Sequence, residues 1–165
     1  MTRFTSSLLL SLPLACAAAP GAPPAEPDGP RACTEIGCND GLELEFARQT
    51  PWPAGSYRVT LRVDGKSMAC QGELPLRACD AGPSFQCDDP SLTLGESGCA
   101  LPAEQHGLSG LHIAVSAATD VSLVIEHQGA LQATAKLSPT FQTSQPNGPG
   151  CEPVCRNAAM RLNLR

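Results

Sequence analysis

The sequence predicts an all-β domain: an antiparallel β-sandwich whose loops are held by disulfide bonds. Three observations support this prediction. From Cys33 onward, several short segments alternate apolar and polar residues, which is the period of a strand with one buried face. Segments rich in Pro and Gly separate them, in a chain with 16 Pro and 15 Gly among 165 residues. Eight cysteines fall in the same region, and no stretch of it spaces its apolar residues as an amphipathic helix does.

The first two predicted strands are residues 41–46 (GLELEF) and 56–63 (SYRVTLRV). Each places its apolar side chains on one face and its charged or polar side chains on the other. Asp64-Gly65 follows the second strand directly, and this pair is typical of a two-residue type I′ turn. A hairpin with a returning third strand is therefore expected at this point.

The hairpin turn also fixes which residues face each other. In its register Leu61 lies opposite Met68, and Val59 lies opposite Cys70. Because Val59 belongs to the inward face, Cys70 is expected to point into the core. There it is well placed for a disulfide between the two facing sheets.

Four later segments complete the seven predicted strands. A three-residue loop ending at Gly129 would pair Ile125 with Leu131 and Leu123 with Ala133, which aligns the inward faces of the last two. The four segments are residues 91–94, 111–116, 121–126 and 130–137. Residues 78–106 are otherwise expected to be a long loop region held by bridges, because they contain three cysteines and little apolar material.

The piece PWPAGSYRVTLRVDG, residues 51–65, resembles the P-x-G-x-Y-x-V segment of immunoglobulin-like and transthyretin-like modules. In that segment the prolines and glycine form a turn, and the tyrosine starts an inward-facing strand. The resemblance implies a sandwich of one of these two kinds. It implies no function, because such sandwiches host many.

The N-terminus carries export signals. Residues 1–15 combine Arg3 with a short leucine-rich run, which is typical of a secretory signal peptide. The stretch LPLAC ending at Cys16 resembles a bacterial lipobox, which implies that Cys16 becomes the acylated N-terminus. The alternative is an A-x-A cleavage site at residues 15–17, which would discard Cys16. Residues 16–30 would form a Pro/Ala-rich tether, and residues 31–165 the folded domain.

Either cleavage leaves an even number of cysteines for the domain, which in an exported chain favours four disulfides. Sequence alone leaves 105 connectivities open. The outer cysteines could pair locally or tie the first strand to the C-terminal segment, and a four-cysteine zinc site is the disfavoured alternative. The eight candidates are Cys33, Cys38, Cys70, Cys79, Cys87, Cys99, Cys151 and Cys155.

Other functional classes lack the residues that they need. The formal net charge of −5 and the lack of a basic stripe argue against nucleic-acid binding. No nucleophile motif is present, so no enzyme and no cofactor are predicted. His106, His112 and His127 could be metal ligands in principle, but His112 would lie on an outward face and His127 in a turn, so no metal is predicted.

The whole pattern resembles a group of uncharacterised predicted lipoproteins of myxobacteria. The resemblance implies export, disulfides and a β-rich domain, and nothing about activity. It rests on four pieces, CTEIGCNDG at 33–41, WPAGSYRV at 52–59, ESGCALP at 96–102 and QPNGPGCEPVC at 145–155.

The expected function is that of an exported, lipid-anchored, non-catalytic envelope protein with a binding or structural role. Its expected place is the outer membrane, held by a lipid on Cys16, with a periplasmic or secreted protein as the alternative. We expect a monomer that binds an envelope protein through loops 78–106 and 138–150. The alternative function is a secreted protease inhibitor that presents a rigid loop from residues 79–99.

The intact mass of the mature protein tests the predicted export, lipid anchor and disulfides directly. We expect a chain that begins at Cys16, carries the mass of its acyl groups, and gains nothing from a thiol-alkylating reagent. A chain that begins after Cys16 without lipid would contradict the anchor, and alkylation of the unreduced protein would contradict the disulfides.

Overall fold

Two five-stranded sheets packed face to face form the part of the chain that the computed structural model describes, residues 32–164. The predicted signal peptide 1–15 and the whole of the predicted tether 16–30, Cys16 included, lie outside the described residues. The ten strands of residues 32–164 are β1 Gly41–Arg48, β2 Gly55–Val63, β3 Lys66–Leu74, β4 Phe85–Cys87, β5 Leu92–Ser97, β6 Gly107–Ile113, β7 Val121–His127, β8 Ala130–Leu137, β9 Gln142–Ser144 and β10 Cys155–Leu164. A 3₁₀ turn, Ala103–Gln105, precedes β6.

The first sheet has the strand order β5-β6-β1-β10-β9, and the second has the order β4-β3-β2-β7-β8. Alternate side chains of both sheets point between them and form one core, as Leu42, Val59 and Ile125 illustrate. The predicted disulfide-rich β-sandwich is therefore confirmed. One pairing differs from a purely antiparallel arrangement, because β1 and β10 run parallel.

The predicted hairpin between β2 and β3 is confirmed. Asp64 and Gly65 have positive φ values of 46° and 90°, as a type I′ turn requires. Val59 lies opposite Cys70 in the predicted register, and the Cys70 side chain is fully buried. Its disulfide, however, joins Cys87 on the neighbouring strand β4 of the same sheet. The expected bridge between facing sheets is wrong, because β4 pairs with β3 and brings Cys87 directly opposite.

The predicted register of β7 and β8 is also wrong. Gln128 and Gly129, both with positive φ, form a two-residue turn, and a bulge follows it. Ile125 therefore pairs with Ala133 rather than Leu131. Leu131 lies opposite Glu126 on the outer face and is 61% exposed. A bulge adds one residue to one strand, so it moves every side chain beyond it to the other face.

Residues 78–106 are not one long loop. They contain β5, which confirms the predicted strand at residues 91–94, and also β4, which was not predicted. Their buried side chains Phe85, Leu92 and Leu94 belong to the core. Of the later predicted strands, β6 differs most in its bounds, because it ends at Ile113 and begins before the predicted residue 111.

The C-terminal strand β10 was not predicted, although it lies beside β1 inside the first sheet. Its inward positions include Ala158, Leu162 and Leu164, whereas Arg156 and Asn157 interrupt the alternation near its start. Small and polar residues give a weak strand signal. The strand depends on its partner instead, and its register aligns Gly41 with Asn157 and Arg48 with Leu164.

Two disulfides join the beginning of the domain to its C-terminal part, one to the loop before β10 and one to the first residue of β10. Cys33 pairs with Cys151, and Cys38 pairs with Cys155. Of the alternatives left open by the sequence, the structure therefore selects the tie between the two ends of the domain. We call these two bridges the terminal clasp.

Asn147 completes the terminal clasp with a fully used side-chain amide. Its Oδ1 accepts hydrogen bonds from the Thr34 hydroxyl and the Ile36 N–H. Its Nδ2 donates to the carbonyl oxygens of Ile36 and Glu152. The side chain is buried, so these four bonds satisfy groups that water reaches poorly. Asn147 therefore attaches residues 34–36 to the loop before β10.

The four sheet edges are each protected from pairing with another chain. The edge strands β4 and β9 have three residues each. The Phe85 N–H of β4 donates to the Glu96 side chain of β5, so the edge strands β4 and β5 of the two sheets are tied to each other. The remaining edge, β8, contains a bulge and carries Lys136. Short strands, bulges and edge lysines all oppose edge-to-edge association. The monomer stays a prediction that this arrangement favours.

Replacement of Asn147 tests the amide of the terminal clasp. We expect Asn147→Ala to lower the free energy of unfolding by about 1 to 3 kcal/mol, because it leaves buried donors and acceptors unpaired. Denaturant titration of the disulfide-intact protein measures the change. Asn39→Ala is the matched control, since Asn39 is exposed, and it should have little effect. Equal losses in the two variants would contradict the structural role of Asn147.

Asp64, in the turn between β2 and β3, ties that turn to residues 119–120 through hydrogen bonds that depend on pH. Its Oδ1 accepts hydrogen bonds from the Asp120 N–H and from the N–H and hydroxyl of Thr119. These bonds, with the Asp120 N–H first, lower the pKa of the Asp64 carboxyl. Its contribution to stability is present above the pKa of the unfolded chain and disappears as pH falls through the lower folded value.

We expect Asp64→Asn to be less stable than the parent protein near pH 7 and to approach it in stability as pH falls below about 4. Asn tolerates the positive φ at this position, so the turn itself is retained. Unfolding titrations across this pH range measure the difference. A stability difference that stays constant from pH 7 to pH 2.5 would rule out the pH-dependent tie.

Candidate binding groove

All eight cysteines of the described residues are used in disulfides. The inner two bridges are Cys70–Cys87 and Cys79–Cys99, and the outer two form the terminal clasp. A disulfide sulfur is neither a nucleophile nor a thiolate ligand. The described part of the chain therefore offers no cysteine for catalysis or for zinc.

The three histidines lie apart and serve backbone groups. Buried His106 accepts the Leu76 N–H at Nδ1, and its Nε2 donates to the Leu101 carbonyl at 2.9 Å. His112 and His127 each direct Nε2 at a backbone carbonyl oxygen, at 3.1 Å and 3.0 Å. Within residues 32–164 the one cluster of three ligand-type side chains is Cys38, Asp40 and Cys155. Its two sulfurs form a disulfide, so the cluster is not a thiolate site.

A polar groove of about 740 Å³ lies on the outer face of the second sheet. Outward side chains of β2, β3 and β4 form its floor, because alternate residues of a strand point away from the core. One row across these strands contains Arg58, Gln71 and Gln86 in register. The groove is lined by Ser56, Tyr57, Ala69, Gln71, Gly72, Glu73, Pro75, Arg77, Ser84, Gln86, Cys87 and Asp88.

The wall of the polar groove is the loop between β3 and β4, and several bonds hold it. The Arg77 N–H donates to the Ser84 hydroxyl across the base of the loop. Cys79 is bridged to Cys99, and the Leu76 N–H is bound by His106. The groove wall is thus fixed before any partner arrives, which lowers the entropy cost of binding.

The polar groove carries charges of both signs. Arg77 and Glu73 line it, and neither side chain has an ion-pair partner in the described part of the chain. Gln71 and Gln86 present exposed amides that make no hydrogen bond within residues 32–164. By contrast, one oxygen of the Asp88 carboxylate is already engaged, because Oδ1 accepts a hydrogen bond from the Ala69 N–H. The free groups can both donate to and accept from a partner.

Asp89 lies at the end of the same sheet and is fully engaged. It pairs with Lys66 and accepts hydrogen bonds from the hydroxyl and N–H of Ser91. The bond from Lys66 makes the largest contribution to lowering the pKa of the Asp89 carboxyl. Asp89 therefore anchors the loop after β4 rather than offering a charge to a ligand.

The second predicted binding region, residues 138–150, is largely structural. Asn147 was expected to be exposed, but it is buried and makes four hydrogen bonds. Phe141 is half-buried, with the Arg156 guanidinium 6.0 Å from its ring centre. The expectation of exposed binding groups is therefore wrong for Asn147, because that loop closes over the terminal clasp. Thr140 and Gln145 are exposed, as expected.

Sequence reasoning missed the polar groove and located only its wall. On the groove floor Gln86 lies beside Gln71, because the three-residue strand β4 pairs with β3. A three-residue strand carries too little periodicity to be detected. The Cys70–Cys87 pair could have indicated it, had the connectivity been readable.

No protein-family model, no curated protein and no solved structure matches this chain. Between residues 32 and 164, no helix is long and apolar enough to cross a bilayer.

Proposed function

We propose that this chain is an exported, lipid-anchored, non-catalytic protein of the cell envelope that binds another envelope protein through the polar groove. The observation that carries the proposal is the complete pairing of the eight domain cysteines. Disulfides of this number are typical of exported proteins. Because the eight domain cysteines pair with one another, none of them requires Cys16 as a partner, and the lipobox-like stretch that ends at Cys16 favours acylation.

A protein partner suits the polar groove better than a small molecule does. The groove is open and shallow rather than enclosed, and its floor is a sheet face. Arg77 and Glu73 favour a partner segment that carries both signs of charge, and Gln71 and Gln86 match backbone amides. The fixed wall around Cys79 supplies a rigid rim for such an interface.

Site-specific photo-crosslinking tests the polar groove. A photoreactive residue at Gln71 or Gln86, on the groove floor, should give the same discrete adduct in intact cells that produce the protein. The matched control is Thr93, an exposed outward residue of β5 on the opposite sheet. We expect no such adduct from Thr93.

Charge-reversal variants distinguish specific binding in the polar groove from non-specific crosslinking. Arg77→Glu and Glu73→Arg should each remove the adduct formed at Gln71, because both side chains line the groove. The reversal Glu43→Arg, on the outer face of β1, should leave it unchanged. Equal adducts from the two faces, or an adduct that survives both groove reversals, would contradict the proposed binding site.

The alternative function, a protease inhibitor, has one feature in its favour. Arg77 is exposed, its N–H is tied to Ser84, and it stands two residues before the bridged Cys79. An exposed arginine in a rigid loop is what a protease that cleaves after basic residues would accept. Stoichiometric inhibition of such a protease, lost in Arg77→Ala, would replace the first proposal by this one.

A further inference from the structure

The bridge between Cys79 and Cys99 is the most accessible of the four described disulfides. Cys79 is exposed and Cys99 is half-buried. Each of the other three bridges contains one buried cysteine, which is Cys70, Cys151 or Cys155. A disulfide opens when a thiolate attacks one sulfur and the other sulfur leaves as a thiolate. Burial hinders attack on a sulfur and also disfavours the charged form of a leaving thiolate, so the Cys79–Cys99 bridge should open first.

A cavity of about 310 Å³ adjoins this bridge and gives a reductant room to approach it. Both cysteines line the cavity, and so does Arg77, which also lines the polar groove. Glu96 supplies a charge of the opposite sign, so the charges of the lining residues balance. Access, rather than charge, therefore distinguishes this bridge from the others.

Residues 77–83, which we call the wall loop, depend on the same bridge for their position. All of them are exposed, so no buried side chain anchors the loop. Their hydrogen bonds are local and run from the Arg77 N–H to the Ser84 hydroxyl and from the Ala81 N–H to the Ala78 carbonyl. In the part of the chain that the structure describes, the disulfide is the one bond that ties the wall loop to a distant segment.

The residues on either side of the wall loop are held independently of this bridge. Leu76 is buried, and its N–H donates to His106. Phe85, the first residue of β4, is also buried, and Cys70–Cys87 holds that strand against β3. Opening of the exposed bridge therefore frees the wall loop and leaves the groove floor in place.

We propose that the Cys79–Cys99 bridge is a thiol–disulfide exchange site that controls binding in the polar groove, a regulatory role that rests on the proposed function. The bridge is closed in the resting protein. A dithiol reductant, such as the dithiol of a thiol–disulfide oxidoreductase, opens it. Opening releases the wall loop together with Arg77. A partner must then order this loop in order to bind, which lowers the affinity.

The exchange takes two steps and two electrons. One thiolate of the reductant attacks Cys79 Sγ, and the electron pair of the broken sulfur–sulfur bond leaves on Cys99 Sγ. The second thiolate of the reductant then attacks the reductant sulfur that is bonded to Cys79. This step forms the disulfide of the reductant and releases Cys79 as a thiolate. The two cysteine thiolates take up protons from the solvent.

Graded reduction of the disulfide-intact mature protein tests the exchange site without any substitution. The protein is treated with the small dithiol dithiothreitol, its free thiols are alkylated, and mass spectrometry of its peptides identifies the labelled cysteines. We expect Cys79 and Cys99 to be labelled together, at a rate at least about tenfold higher than the other six domain cysteines. Opening of another bridge first, or of all four at one rate, would overturn the proposal.

Amide hydrogen exchange tests the release of the wall loop. In the double variant Cys79→Ser/Cys99→Ser we expect faster exchange at Arg77 and Ala81, and unchanged exchange in β2 and β3. The unchanged strands would also show that the variant is folded. Exchange in the wall loop at the rate of the parent protein would overturn the proposal.

Photo-crosslinking from Gln71 tests the effect on the polar groove. The double variant should give several-fold less adduct than the parent, because its wall loop is no longer fixed. Asp80→Ser is the matched control, since Asp80 is exposed in the same loop and its replacement keeps the bridge. Equal adduct from the double variant and the parent would overturn the regulatory role. An absence of adduct from the parent itself would instead contradict the proposed function, and the order of reduction decides the exchange site separately.

Discussion

The terminal clasp is the constraint on which the rest of the structure depends. Cys33–Cys151 and Cys38–Cys155 close loops of 118 and 117 residues, so they link the two ends of the domain covalently. A covalent closure of that length removes about 4 to 5 kcal/mol of chain entropy from the unfolded state in the loop-entropy account. β10 has weak strand signals of its own, yet it lies inside the first sheet against β1. The clasp positions its first residue, and the parallel ladder follows.

The same chemistry builds the candidate binding surface. Cys70–Cys87 secures a three-residue strand that could not persist on its ladder alone, and this strand supplies Gln86 to the groove floor. Cys79–Cys99 and His106 fix the groove wall. A small domain with few aromatic residues thereby gains rigid surface loops from covalent links rather than from a larger core.

Sequence patterns predicted the sheets better than the sites. Alternation and the Asp64-Gly65 turn were enough to locate β2, β3 and the buried face of Cys70, because these are local properties. The partner of Cys70 was not predictable, since it lies on a strand with no periodicity to read. The bulge after Gln128-Gly129 moved Leu131 to the outer face, and no sequence rule placed it. Asn147 looks like a turn residue in the sequence, and only the fold surrounds it with four hydrogen-bond partners.

Peptide mapping of the native, unreduced protein tests the central claim most directly. Proteolysis with free thiols blocked, followed by mass spectrometry, identifies which cysteines are joined. The account predicts one linked pair of Cys33 with Cys151 and another of Cys38 with Cys155, with no blocked thiol in the domain. Local links of Cys33 with Cys38 and of Cys151 with Cys155 would contradict it, because the first and last segments would then be joined by weak interactions alone.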